Sequence, residues 1–360
     1  LKKKEEDIKK DKEVKKKEVA EKKEVEKKTT FTTKSLFIYP QKKPAIYKAS
    51  TEEVEKSSVL NQKDFTRAKE TIKFIKDKKW NSALKSASKV KDREFRNLIT
   101  WMYLKTTRNG ASFSEYKNFI EQNNNYPRIN RIRFLAESKI YLRNNSPTSI
   151  INWFDKYPPL GGMGKIKLAE AYLEKGQVDK VGELIKKGWE TATISKNDLG
   201  YYRAKFKKFI DSEDHIKRAD YLAWEKKYWD LKRMLKYLPK DQRALYNARQ
   251  ILMSNSYGVD NAISKVPEYL KKDPGLEFDR LRWRNRRGRL EGSLEILYRN
   301  SIKTEEQMVR PDKWWEQRES VVRSLIYKKR YKTAYKISSE HALSAGPSFA
   351  EAEWLSGWIA

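Results

Sequence analysis

Residues 64–75, DFTRAKETIKFI, decide the fold. Their apolar side chains Phe65, Ala68, Ile72 and Ile75 recur at intervals of three and four residues, which is the spacing of one face of an amphipathic α-helix. The same periodicity continues to the end of the chain, and no stretch alternates with period two for long enough to indicate a strand. The sequence therefore predicts an all-α fold.

From residue 64 to the C-terminus, short breaks separate the helical segments about every 12 to 20 residues, which predicts antiparallel helical hairpins. A weak repeat supports this prediction, since several helices open with an apolar or aromatic residue followed three positions later by a second apolar or small residue. The five pairs are Trp80/Ala83, Val178/Val181, Tyr228/Leu231, Leu290/Ser293 and Tyr331/Ala334. Their uneven spacing favours an irregular, tetratricopeptide-like α-solenoid or superhelix. Whether it closes into a ring stays open.

Toward the N-terminus the composition changes. Residues 1–28 are almost entirely lysine and glutamate and predict a charged linker, because so few apolar side chains cannot offset the entropy of ordering. Residues 29–63 contain threonine pairs, Pro40 and Pro44 and predict an extended connector. The domain boundaries predicted on this basis are 1–28, 29–63 and a superhelical domain at 64–360.

The chain is strongly basic, with 80 Lys and Arg against 49 Asp and Glu and a formal net charge of +31. This charge indicates a polyanionic partner such as nucleic acid, anionic lipid or an acidic wall polymer. A bias toward AT-rich codons would also produce it, and the sequence does not separate the two explanations. No apolar run reaches the ~18 residues of a transmembrane helix. No signal peptide is visible, and because the chain starts at Leu1 we expect that a leader was either cut away or never included.

Residue types that usually carry catalysis or bind metal are scarce. Cysteine is absent, and the only histidines are His215 and His341, so no metal site or cofactor is predicted. The glycine-rich stretch Gly161–Gly164 neither follows a strand nor precedes Gly-Lys-Ser, so it reads as a turn between helices rather than a phosphate loop. Carboxylates are too numerous for spacing alone to single out an acid–base pair.

The stretch Leu281–Leu290, LRWRNRRGRL, is the most polyanion-like segment, because arginine beside an aromatic ring suits phosphate, carboxylate or sugar contacts. It gives the candidate contact residues Arg282, Trp283, Arg284, Arg286 and Arg287. The alternative is a structural helix that partly buries Leu281 and Trp283, with the arginine stems lying along its surface.

Several segments, in order from about Phe65 to Ala360, resemble the superhelical region of bacterial soluble lytic transglycosylases. The most specific is FAEAEWLSGWIA, Phe349–Ala360, which is similar to the boundary before that family's catalytic domain. The other segments are Pro311–His341, which contains a Trp-Trp helix, Val266–Arg289, Asp214–Leu235 and Trp153–Gly176.

The resemblance implies a periplasmic protein of peptidoglycan turnover whose helices hold or guide glycan strands. In the family, a lysozyme-like domain cleaves the glycosidic bond and leaves a 1,6-anhydro product, using a Glu-Ser pair followed by a Gly-Leu-Met-type run. Glu319-Ser320 is followed instead by Val-Val-Arg, and we expect that this chain lacks the catalytic domain, has no catalytic residue and does not cleave peptidoglycan alone. The alternative is a basic helical-repeat scaffold or RNA-binding protein without enzymatic activity.

The C-terminal segment also offers an interaction surface. Helical spacing places Glu351, Trp354 and Trp358 on one side, and such an aromatic face predicts a contact with the missing catalytic domain. The alternative is a helix buried between two hairpins.

Overall fold

A computed structural model describes residues 56–254, 257–301 and 304–360. The predicted linker at 1–28 and most of the connector at 29–63 lie outside the described residues. All regular structure in the described ranges is helical and none of it is strand, which confirms the all-α prediction. The first helix begins at Gln62, two residues before the start of the predicted domain. None of the helices in these ranges is both long and apolar enough to cross a membrane.

The α-helices of the described residues are labelled in chain order. The first nine are α1 (Gln62–Lys76), α2 (Trp80–Ala87), α3 (Arg93–Lys105), α4 (Phe113–Gln122), α5 (Ile129–Glu137), α6 (Pro147–Lys156), α7 (Gly162–Glu174), α8 (Gly182–Thr191) and α9 (Lys196–Lys205). The next nine are α10 (Ser212–Trp224), α11 (Tyr228–Met234), α12 (Lys240–Leu252), α13 (Val259–Ser264), α14 (Pro274–Arg286), α15 (Leu290–Arg299), α16 (Pro311–Tyr327), α17 (Tyr331–Ser339) and α18 (Gly346–Ile359). Short 3₁₀ turns precede α8 and follow α11 and α13.

One turn geometry recurs in all five hairpins that the sequence repeat predicts. Two residues before each predicted helix start, the backbone takes a left-handed conformation with φ between 57° and 71°, at Lys78, Gly176, Lys226, Gly288 and Lys329. The next residue donates its N–H to the carbonyl five positions back, as Lys227 does to Leu222 at 2.9 Å. This bond closes a Schellman motif, which satisfies the last carbonyls of the first helix and turns the chain into the second.

Glycine occupies only two of these five left-handed positions, whereas lysine occupies the others. A residue other than glycine in this conformation is strained by about 1–2 kcal/mol. Replacing it with glycine removes the strain, but part of that gain is lost because glycine raises the conformational entropy of the unfolded chain. Lys329→Gly should therefore raise the free energy of unfolding by about 0.5–1 kcal/mol. Urea denaturation followed by circular dichroism measures the change.

The matched control for this prediction is Lys332→Gly, which removes the same charge three residues later, inside α17. Glycine within a helix is destabilising by about 0.5–1 kcal/mol, so this variant should change stability in the opposite direction. Equal destabilisation by both variants would contradict the assignment of left-handed strain to Lys329.

The second position of the predicted repeat points into the core in every hairpin. Each of these five side chains is fully buried at 0% exposure, namely Ala83, Val181, Leu231, Ser293 and Ala334. A small or medium residue is needed here because the second helix leaves the turn directly against the first. The repeat that was weak in the sequence is therefore a regular feature of the packing.

The buried side chains form three clusters that follow one another along the chain. The first runs from Tyr103 to Ala171, the second from Ile166 to Leu276 and the third from Trp224 to Leu355. Helices contact their sequence neighbours and the helix two places further on, as in the series α8, α10, α12, α14, α16 and α18. Each hairpin therefore buries its apolar face against the hairpins next to it.

Candidate anion-binding site

The arginine-rich stretch ends at the turn between α14 and α15, which lies against α16. Between them is a cavity of about 210 Å³. Its lining consists of Asn285, Gly288, Arg289, Leu290, Ser320, Val321, Ser324 and Lys328. None of these described residues is acidic. The lining therefore contains two cationic residues and two serines, but no carboxylate.

The backbone places the two cations. Gly288 takes the left-handed conformation of the hairpin turn, and Arg289 follows it directly. The guanidinium of Arg289 lies 5.0 Å from the ring centre of Trp283, a cation–π contact that holds it near the turn. Lys328 directly follows α16 and precedes the left-handed turn residue Lys329. Among the described residues, neither Arg289 nor Lys328 has a carboxylate oxygen within 4.0 Å.

The polar lining is ordered by contacts within the protein. Asn285 donates from Nδ2 to the backbone carbonyl of Gln317 at 3.2 Å, which ties the end of α14 to α16. Ser324 donates its hydroxyl to the carbonyl of Ser320 at 3.0 Å, four residues earlier in α16. These contacts join α14 to α16, and Arg289 and Lys328 both line the cavity between them.

Three of the four arginines chosen from the sequence make contacts within the fold. Arg282 is buried and pairs with Asp279 at 3.2 Å, while Arg284 donates to the carbonyl of Gly292 at 2.5 Å and pairs with Glu295 at 3.0 Å. Arg286 donates to the carbonyls of Leu252 and Met253 at the end of α12. None of these three residues lines the cavity, and each guanidinium contacts a backbone carbonyl or a neighbouring carboxylate within the fold.

Trp283 and Arg287 do not line the cavity either, but Trp283 contacts Arg289, which does. Trp283 is partly buried, and its ring has the guanidinium of Arg287 at 5.1 Å on its face as well as that of Arg289. Sequence reasoning missed Arg289, Ser320, Ser324 and Lys328 as site residues. Arg289 lies within the quoted stretch LRWRNRRGRL. Ser320, Ser324 and Lys328 belong to a different hairpin, and no sequence pattern singles them out.

The predicted face of the C-terminal helix is exposed. Trp354 and Trp358 are 62% and 60% exposed, while Leu355, beside them on α18, is buried. Glu351 accepts a hydrogen bond from Nε1 of Trp315 at 3.1 Å and lies 3.5 Å from Nη2 of Arg323. The expectation that Trp358 is exposed is confirmed, but Glu351 is engaged in holding α18 to α16.

The glycine-rich turn has a structural explanation. The carboxylate of Glu137 accepts hydrogen bonds from the backbone N–H groups of Leu160 at 2.5 Å and Gly161 at 3.0 Å. A Cβ at Gly164 would lie 2.5 Å from this carboxyl group, so the start of α7 can approach Glu137 only because glycine stands there. Glu137 therefore caps α7, as the turn interpretation allows.

Glu137-Ser138 is a second Glu-Ser pair, which sequence reasoning did not consider. Burial raises the pKa of Glu137, as for many catalytic acids. Both carboxylate oxygens accept hydrogen bonds from the backbone of the α6–α7 turn, which gives Glu137 a structural role. Glu319, in the first pair, is engaged with Nε of Arg323 at 2.6 Å on the surface of α16. Both glutamates have structural contacts.

The histidines also have packing roles. His215 accepts a hydrogen bond from Nε1 of the buried Trp189 at 3.2 Å, and burial lowers the pKa of His215. His341 lies two residues after the end of α17 at Ser339. Its Nε2 lies 2.8 Å from Oε1 of Glu353. No group of three or more histidine, aspartate or glutamate side chains within the described ranges could hold a metal ion.

Comparisons with protein-family models, with curated proteins and with solved structures find no match.

Proposed function

We propose that this chain is the non-catalytic superhelical part of a periplasmic peptidoglycan-processing system and that it holds glycan strands at the Arg289–Lys328 cleft. Peptide stems of peptidoglycan end in free carboxylates, and a carboxylate is the anion that a guanidinium, an ammonium and serine hydroxyls bind together. The observation that carries the proposal is the pair of cations in a cavity whose described lining contains no acidic residue.

The superhelical arrangement is part of this proposal. It is supported by the five equivalent turns and by contacts between helices that are distant in the chain. Oε1 of Glu225, just after α10, lies 3.8 Å from Nη1 of Arg310 and 3.7 Å from Nζ of Lys313, near the start of α16. Nζ of Lys226 lies 3.3 Å from Oε2 of Glu316. Two hairpins separate these elements, so successive hairpins must turn tightly for α10 and α16 to meet. Such curvature is typical of helical solenoids.

The sequence resemblance to lytic transglycosylases supplies the substrate class and the partner. In this proposal a catalytic domain in the same protein packs on the aromatic face formed by Trp354 and Trp358 at the end of α18. Exposed aromatic surfaces of this kind usually mark contacts. In this proposal the chain itself contributes binding, since Glu137 holds the α6–α7 turn and Glu319 pairs with Arg323.

The double variant Arg289→Glu/Lys328→Glu should weaken binding to purified peptidoglycan sacculi by about tenfold, or about 1.4 kcal/mol. Two partly exposed ion pairs contribute about this much together, and the new carboxylates repel the peptide stems. Co-sedimentation with sacculi at ~0.15 M salt, where distant charges are screened, measures the effect.

The matched control is Lys207→Glu/Lys217→Glu, which makes the same change in net charge at two exposed lysines. Lys207 lies between α9 and α10, and Lys217 lies on α10. It should leave sacculus binding within about twofold, because charges beyond a Debye length contribute little at this salt concentration. Equal losses in the two double variants would show that only net charge matters. Stronger binding to single-stranded RNA than to sacculi would favour the RNA-binding alternative and overturn the proposal.

A further inference from the structure

Helix α7 carries a buried pair of opposite charges that the proposed function does not use. Lys167 and Glu170 are each only 3% exposed, in a helix that is buried on nearly all sides. Of the lysines in the described ranges, Lys167 alone is buried. The pair is distinctive because the other lysines of the described residues are at least partly exposed.

The amine of Lys167 lies among aromatic rings. Nζ is 4.4 Å from the ring centre of Tyr141 and 5.4 Å from that of Tyr202, and its nearest carboxylate oxygen is Oε2 of Glu170 at 4.0 Å. Within the part of the chain that the structure describes, Nζ donates no hydrogen bond to a protein atom. Burial lowers the pKa of Lys167, so the neutral amine is favoured more than in an exposed lysine.

The other carboxylate oxygen of Glu170 is fully engaged. Oε1 accepts hydrogen bonds from Oη of Tyr201 at 2.5 Å and from Nζ of Lys205 at 3.1 Å. Lys205 also donates to Tyr201 and to Glu174, while Asp198 and Arg143 are the remaining charged groups that act on Lys167. Glu170 is thus held in one orientation by α9, with Oε2 left facing the amine.

This arrangement is a poor way to stabilise a helix contact. A buried ion pair seldom repays its desolvation, and at 4.0 Å this one lacks the hydrogen bond that would help to offset that cost. A methionine would fill the space of Lys167 without that cost. A desolvated amine beside a second cation and an oriented carboxylate is, however, the environment that makes lysine a nucleophile toward carbonyl compounds.

We propose that Lys167 is a covalent binding site for a small aldehyde or ketone. The neutral amine nitrogen attacks the carbonyl carbon as the C=O π bond opens, and the carbinolamine then forms. Loss of one water, which takes both amine hydrogens and the carbonyl oxygen, leaves an imine. Oε2 of Glu170 is the carboxylate placed to carry a proton from nitrogen to the departing oxygen.

Entry to the amine passes Tyr141. This residue lies in the turn between α5 and α6, its side chain is 36% exposed, and its ring covers Nζ of Lys167. Rotation of that one ring would open a path for a molecule of a few heavy atoms. The proposed ligand is therefore a short-chain carbonyl compound, and Tyr141→Ala should admit it more readily.

The test is reductive alkylation of the complete chain with propanal and cyanoborohydride at pH 7, followed by mass-spectrometric peptide mapping. Lys167 should be alkylated severalfold faster than Lys165, the more exposed lysine two residues earlier in α7, since burial lowers the pKa of Lys167 and favours its neutral amine. In denaturing urea the two rates should become equal, because the surroundings of the amine are lost.

Two variants separate reactivity from simple access. Tyr141→Ala should increase the rate at Lys167 severalfold, whereas Glu170→Gln should decrease it while leaving Lys165 unchanged. If Lys167 in the folded protein reacts no faster than Lys165, or does not react, the proposal is overturned. Faster reaction that is insensitive to Glu170→Gln would remove the proton-transfer role and contradict the step as written.

Discussion

Arg249→Ala is expected to lower the free energy of unfolding by about 3–5 kcal/mol, the range for removing one partner of a buried ion pair. Arg249 on α12 is fully buried at 0% exposure. Its guanidinium lies 2.8 Å from Asp279, also fully buried, and 2.6 Å from Asp220. Without Arg249, the carboxylate of Asp279 would keep only Arg282 at 3.2 Å as a cationic partner.

The surroundings of Arg249 are built for a guanidinium. A Cβ at Gly275 would lie 2.3 Å from the guanidinium carbon, so α14 can approach only because glycine stands at this position. The same guanidinium lies 5.3 Å from the ring centre of Trp224 on α10. Arg249 thus joins α10, α12 and α14 at one point, and its loss leaves both a cavity and an unpaired charge.

Urea denaturation followed by circular dichroism measures the loss, and two further variants interpret it. The double replacement Arg249→Met/Asp279→Leu should regain a large part of the stability, because it removes both charges together. Arg323→Ala, which breaks the exposed contacts with Glu319 and Glu351, should change stability by no more than about 1 kcal/mol. A loss in Arg249→Ala as small as that in Arg323→Ala would contradict the assigned role.

The sequence predicted the elements of this fold better than it predicted their chemistry. Three-and-four periodicity is a local property, so the helices and the hairpin breaks could be read directly, including the break near Lys226 between α10 and α11. The left-handed turn residue could not be recognised in the same way, because lysine occupies it at Lys78, Lys226 and Lys329. The sequence signal for these hairpins was instead the small or apolar residue three positions into each second helix, which is buried in the structure.

The candidate site shows why side-chain chemistry was harder to predict. Arg284 and Arg286 look equivalent to Arg289 in the sequence, yet they are satisfied by Glu295 and by the end of α12. Only the packing of α14 against α16 brings Arg289 and Lys328, which lie in different hairpins, to the same cavity. Likewise, nothing in the spacing of α7 shows that Lys167 is buried rather than exposed.

Trp314→Ala is expected to lower the free energy of unfolding by about 3–5 kcal/mol, whereas Trp358→Ala should change it by no more than about 0.5 kcal/mol. Trp314 on α16 is 1% exposed, and its ring lies 5.5 Å from that of Phe278. Phe278 in turn lies 4.9 Å from Trp224, so the three rings link α10, α14 and α16. Removing Trp314 would leave a cavity where the third core cluster joins distant hairpins.

Trp358 offers the opposite case, since it is 60% exposed on α18 and removes little surface from water. Thermal denaturation of both single variants, monitored by circular dichroism, compares them directly. A large loss in Trp358→Ala would mean that its ring is part of the core, and it would remove the basis for an interface on α18. A small loss would mean that Trp358 contributes little to the stability of this chain. The proposed contact with a catalytic domain requires this property.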